Sequence, residues 1–138
     1  YASGNTLMRE ARALVAARSP IAMDMVARVN GDPGIITGPL VTEAAKEGDR
    51  MAIELLAEIG TWLGIGMANL AAAFDPGRFV VGGGVSAAGD LLLQPARDAF
   101  AKQLTGRGYR PEATIIPAHL GNDAGLIGAA DLARASVE

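Results

Sequence analysis

Three consecutive glycines at the end of a short apolar run, Val80-Val81-Gly82-Gly83-Gly84-Val85-Ser86, are the residues of this sequence best suited to chemistry. Glycine there lets the backbone take positive φ angles and lets a flat or phosphorylated ligand approach the main chain. The helix start that follows offers amide N–H groups with no helical partner. The competing explanation is a tight turn whose glycines let the helix pack on its strand, and three glycines in a row favour the ligand. Which ligand stays open at this level. Gly82-x-Gly84-x-x-Ala87 satisfies the dinucleotide pattern G-x-G-x-x-G/A, which would make this a Rossmann-type NAD or FAD fragment. That pattern wants an acidic residue about twenty residues further on, at the end of the next strand, and normally opens its domain. Here the next strand ends in Ala118-His119 and the motif lies past the middle of the chain. A P-loop is excluded, because no Gly-Lys pair occurs.

A second signal is Gly121-Asn122-Asp123-Ala124-Gly125, after the second candidate strand. Loops beyond the carboxyl ends of parallel strands are where open α/β sheets bind ligands, so this loop and the triple glycine are expected beside one crevice. Asn122 or Asp123 as a plain helix cap is the stronger explanation for those side chains. His119 is the single imidazole in a chain without cysteine, and it makes no metal site. Glu43, Glu47, Asp49, Glu54 and Glu58 fall at helical spacings that give solvated faces rather than an acid/base pair. With no Ser-His-Asp order or nucleophile elbow either, no catalytic residue is assigned.

These glycines need elements to hold them. Leu7, Ala11, Leu14 and Val15 mark a first helix from Asn5 to Arg18, capped by Asn5 or Thr6 and broken at Ser19-Pro20. A short helix over Ile21–Val29 and a third from about Pro39 to Gly48 follow. Asp49 caps the longest helix, which Asp75-Pro76-Gly77 stops. After Glu58 that helix is apolar nearly all round, so it is expected between layers, with Trp62 in the core. Gly60 and Gly64 share a face; the spacing can mark membrane dimerisation, but in a soluble helix it predicts close backbone packing. Phe79-Val80-Val81 is a strand expected to be buried on both faces, Ala88–Leu104 a helix, Thr105–Pro111 a loop, Ala113–Ala118 a second strand, and a last helix runs to Ala135. Strand, helix, strand is a crossover unit with parallel neighbours. A parallel sheet needs more than two strands and two covered faces, so the chain is expected to be the second half of a doubly wound α/β domain.

Composition narrows the class further. The 138 residues suit one domain or a large part of one; half are apolar and a fifth charged, which excludes a disordered tail. Twelve Lys and Arg against fifteen Asp and Glu, with no basic run, argue against a nucleic-acid surface. The absence of cysteine excludes disulfides, Cys-ligated zinc and a thiol nucleophile, and is compatible with a reducing cytoplasm. The uncharged apolar stretch Ile59–Phe74 is shorter than the roughly twenty residues of a bilayer span. Tyr1-Ala2-Ser3-Gly4-Asn5 has neither an initiator Met nor a signal-peptide pattern, so the chain is expected to begin inside something larger.

The segments Gly48-Asp49, Trp62-Leu63-Gly64-Ile65-Gly66-Met67-Ala68-Asn69-Leu70, Asp75-Pro76, Phe79 to Ser86 and Gly121 to Ala130, in this order and spacing, resemble the C-terminal part of the ROK family (repressors, open reading frames and sugar kinases). The resemblance covers essentially the whole chain and is strongest to bacterial ATP-dependent glucokinases of the actinobacterial type. It implies an actin-like, ribonuclease-H-like ATPase fold in two lobes, in which residues 1–138 are a C-terminal, partial domain. It implies in-line transfer of the γ-phosphoryl group of ATP to the 6-hydroxyl of glucose, with an Asp as general base and Mg²⁺ neutralising charge. Gly82, Gly83, Gly84 and Val85 would then form the adenosine site. Ser3-Gly4 match the tail that follows the family's zinc motif, so its Zn²⁺ ligands, the sugar-contacting Glu, the phosphate loop and the general base would all lie upstream. Glycolysis, the cytoplasm and a homo-oligomeric state (dimer or tetramer) are further implications, with no membrane partner. The chain alone would be inactive. The rival within the family is the C-terminal half of a transcriptional repressor, told apart by the residues upstream.

Overall fold

The structure, a computed structural model, describes residues 3–106, 108 and 111–135. Helix α1 spans Gly4–Ala16 and buries Leu7, Ala11 and Val15, the expected stripe. Its cap is Ser3 rather than Asn5 or Thr6: Ser3 is still extended and its hydroxyl accepts the Thr6 N–H at 3.2 Å, so the helix starts one residue earlier. The expected helix over 21–29 divides into a 3₁₀ turn, Pro20–Ala22, and α2, Met23–Arg28. Pro20, with fixed φ and no N–H, starts the tighter turn. Helix α3, Gly38–Lys46, is capped by Thr37 and carries Pro39 in its first turn. Asp49 caps α4, Arg50–Phe74, through Oδ1 accepting the Ala52 N–H at 2.9 Å, and Asp75 ends it in the left-handed conformation at φ 46°.

After the triple glycine the chain makes a 3₁₀ turn, Gly84–Ala88, and α5 begins only at Asp90, running to Gln103. The α4–α5 packing is the backbone of the molecule, and glycines set its distance. A Cβ built on Gly60 would lie 2.3 Å from the Leu92 carbonyl oxygen, and one on Gly64 2.1 Å from that of Ala96. The close packing expected of that pair is what these glycines provide. One apolar cluster joins α1, α2, α3 and the first half of α4; a second joins the second half of α4 to Leu93, Phe100, Val81 and Ile115.

Strand β1, Arg78–Val81, and strand β2, Thr114–Pro117, pair in parallel with Val80 opposite Ile116, as expected of the crossover unit. Arg97 of α5 ties itself to β2, its Nε and Nη2 both donating to the Ile115 carbonyl at 3.2 Å. The expectation of a strand buried on both faces fails within this chain. Val81 is buried, but Val80 is 62 % exposed, because the described residues cover one face of a two-stranded sheet. Trp62, expected in the core, is 43 % exposed for a similar reason: α1, α3 and α5 cover only part of the circumference of α4. The loop expected over Thr105–Pro111 lies partly outside the described residues. Helix α6, Ala124–Ala135, is present but exposed throughout. It is preceded by a 3₁₀ turn, Gly121–Asp123, whose own cap position, Leu120, makes no side-chain bond, and Asp123 is the residue immediately before α6. The side chain of Asn122 lies outside the described residues. By length and composition α4 could cross a membrane, yet Met51, Leu55, Leu56 and Ile59 are buried against its neighbours, as in a core helix.

Candidate functional site

The triple glycine stands at the carboxyl end of β1 and opens onto a hollow of about 700 Å³. That volume falls within the range of roughly 300–1,000 Å³ typical of small-molecule sites. Gly82, Gly83 and Gly84 are exposed, and Val85 is partly buried against the core. Gly83 has φ 91° and ψ 170°, a conformation nearly confined to glycine. Its carbonyl accepts both the Ser86 N–H at 3.0 Å and the Ser86 Oγ–H at 2.6 Å, which holds the turn shut on that side. A Cβ built on Gly83 or on Gly84 would meet nothing within 4 Å, so the main chain there faces open space. All four residues named from the sequence line the hollow.

The remaining walls were not legible in the sequence. They come from the start of α1 (Ser3, Gly4, Asn5 and Met8), from one face of α3 (Gly38, Pro39, Thr42, Glu43 and Lys46), and from Ile59 and Leu63 of α4. Gly4 approaches the glycine turn closely, since a Cβ on it would lie 3.2 Å from Val85 Cγ2. The signal available for α3 was a threonine within an apolar stripe: Val41, Thr42, Ala44 and Ala45 are all buried. Glu43 and Lys46 stand 4.0 Å apart, both about half exposed, on the rim. Their charges are therefore largely screened.

The loop Gly121–Asp123 does come beside the turn. The two 3₁₀ turns are neighbours, and a Cβ on Gly82 would be 3.5 Å from that of Ala118. Gly121 and Asp123 are not among the lining residues, however, so the crevice belongs to the first loop and to α1 and α3. His119 is exposed, away from the hollow. Of the carboxylates read as solvated, Glu43, Glu47, Glu54 and Glu58 are exposed; Asp49 is buried at 6 % because its oxygen turns inward to cap α4. Arg28 pairs with Glu47, and that hydrogen bond raises the guanidinium above its ordinary value, so the pair is charged wherever the carboxylate is. Among the described residues no group of three His, Asp or Glu side chains could hold a metal ion, and the hollow offers one carboxylate, Glu43. No metal ligand is assigned in this chain.

A bare main-chain bend beside a roomy, mainly apolar hollow is what these residues present, and the chain that carries it is similar to known sugar kinases. It is 45 % identical to a glucokinase of Streptomyces coelicolor over 97 % of its own length and 42 % of that protein's. It superposes with a TM-score of 0.87, at 44 % identity, on the ROK family glucokinase of Streptomyces griseus solved with glucose and AMPPNP, covering 97 % of this chain and 43 % of that one. A ROK hexokinase from Thermus thermophilus matches over 85 % of this chain and 38 % of its own, with a TM-score of 0.56 and 32 % identity. The chain thus spans about two-fifths of the length of the curated relatives it matches. The described elements are part of the actin-like ATPase fold of those sugar kinases, which removes the Rossmann alternative. The ROK family matches residues 1–136, and with that span and these likenesses the chain belongs to the ROK family.

Proposed function

We propose that this chain is the adenosine-binding part of an ATP-dependent glucokinase, a partial domain whose glycine turn, Gly82-Gly83-Gly84 with Val85, receives the nucleoside of ATP. The observation that carries this is the hollow beside an exposed main-chain bend, at the strand end where open α/β sheets take ligands. Likeness to glucokinases over nearly the whole chain supports the kinase over the repressor. The complete enzyme would pass the γ-phosphoryl group to the 6-hydroxyl of glucose with Mg²⁺, as a cytoplasmic, glycolytic homo-oligomer. On this reading the general base and the zinc ligands would lie outside the residues of this chain.

Calorimetry of the chain with ADP tests this reading. Binding in the micromolar to low-millimolar range is expected, without turnover of glucose and Mg-ATP. Gly84→Val is the variant to compare, since Gly84 has no positive φ and a side chain there meets open space in the free protein but not beside a bound nucleoside. Its melting temperature should stay close to that of the parent, and its ADP affinity should fall roughly tenfold. No detectable ADP binding by the parent chain, or turnover near that of an intact sugar kinase, overturns the proposal.

A further inference from the structure

One polar side chain is set into the wall of the hollow instead of its rim. Thr42 of α3 is 5 % exposed and lines the hollow together with the apolar Met8, Ile59 and Leu63. A helical threonine commonly gives its hydroxyl to the carbonyl four residues back, as Thr61 does to Ala57 at 2.9 Å. Thr37 is likewise engaged, as the cap of α3. Among the described residues the Thr42 hydroxyl has no such partner, nor is it among the atoms sealed from solvent, so its accessible part opens on the hollow. A hydroxyl open to the hollow is hydrated while the site is empty, and it can hand that hydrogen bond to a ligand that fills the space.

We infer that Thr42 is a specificity-determining residue of the nucleotide site, its hydroxyl hydrogen-bonding the polar edge of the purine base. This rests on the nucleotide reading of the hollow. The glycine turn, with exposed main chain, faces the ribose and phosphates, and the flat base lies between Met8, Ile59 and Leu63, which places the amino-bearing edge within reach of α3. A hydroxyl can both accept from the exocyclic amino group and donate to a ring nitrogen, so a purine lacking that amino group loses part of the interaction.

The test titrates the chain and its Thr42→Val and Thr42→Ser variants with adenosine and with purine riboside, which lacks the 6-amino group. The parent should prefer adenosine by roughly three- to tenfold, the worth of one neutral hydrogen bond. Thr42→Val should erase that preference and Thr42→Ser should keep most of it. Without ligand, Thr42→Val should melt within a few degrees of the parent, because the hydroxyl it removes is open to water, which shows that the loss of preference is not a loss of fold. The inference is overturned if Thr42→Val binds adenosine like the parent, if Thr42→Ser is as weak as Thr42→Val, or if both nucleosides weaken equally. If the parent binds neither adenosine nor ADP, the nucleotide reading itself falls.

Discussion

Gly83 and Gly84 are adjacent and chemically identical, yet substitution should act on them in different ways. At φ 91° and ψ 170° Gly83 occupies a region that other residues enter at a cost of about 1–3 kcal/mol, so Gly83→Ala or Gly83→Val should lower stability by that order. From residue type alone Gly83→Val would be chosen as a binding variant with little effect on folding; the backbone angle makes it a folding variant as well. Asp49 makes a second residue-level prediction. Its Oδ1 caps α4, while its Oδ2 is buried without a partner among the described residues. Asp49→Ala should cost about 1 kcal/mol in urea denaturation through the lost cap. Asp49→Ser keeps a capping oxygen and removes the orphan, so it should match or exceed the parent. Equal loss in both variants would show that the carboxylate contributes something beyond the cap.

Helix α4 carries three glycines that a propensity scale treats alike. Gly→Ala inside a helix stabilises by up to about 1 kcal/mol when nothing intervenes. At Gly66 nothing lies within 4 Å of the added methyl group, and Gly66→Ala should gain that amount. At Gly64 the methyl group would fall 2.1 Å from the Ala96 carbonyl oxygen and 2.9 Å from the Ala99 Cβ, so α4 and α5 must separate. Overpacking of this kind costs about 1–3 kcal/mol and should outweigh the propensity gain, making Gly64→Ala destabilising. Thermal unfolding of the two variants decides the matter by sign, and a stabilising Gly64→Ala would mean that the helices slide apart freely. The Gly60/Gly64 pairing is legible in the sequence because residues four apart on a helix share one face. Which glycine meets a neighbour is not, since Gly64 and Gly66 differ only in what lies opposite.

The molecule as a whole presents apolar surface that its described residues do not cover. Val80 on the outer face of the sheet, Trp62, Leu70 and Phe74 along α4, and Leu126 and Leu132 on α6 are all exposed. A parallel sheet is ordinarily covered on both faces, and two strands are fewer than a stable sheet uses. Studied alone, the chain should bind the apolar dye ANS and self-associate with concentration, and a full-length ROK glucokinase should bind much less dye per mole. A monomeric chain with no dye signal would mean that these faces are closed by rearrangement within the 138 residues. The hollow shows the same dependence on assembly. Its walls come from within residues 3–8, 38–46, 59–63 and 81–87 and from Leu92, brought together by the docking of α1, α3 and α5 against α4.

Local chemistry was enough to announce the helices, the crossover pair of strands and the bend at 82–84, while the family came from the resemblance of whole motifs. Caps, periodicity and consecutive glycines act over a few residues, and such interactions can be recognised without knowing where the chain goes next. The fates of Val80, Trp62 and Thr42 were settled by packing. Val80 and Trp62 read as core in isolation, but burial depends on what other segments cover, and whether a hydroxyl such as that of Thr42 meets a partner depends on neighbours far along the chain. Thr42 lies on α3, while Gly84 follows only after the whole of α4 and β1, so it is the folded chain that joins that hydroxyl to the turn in one cavity.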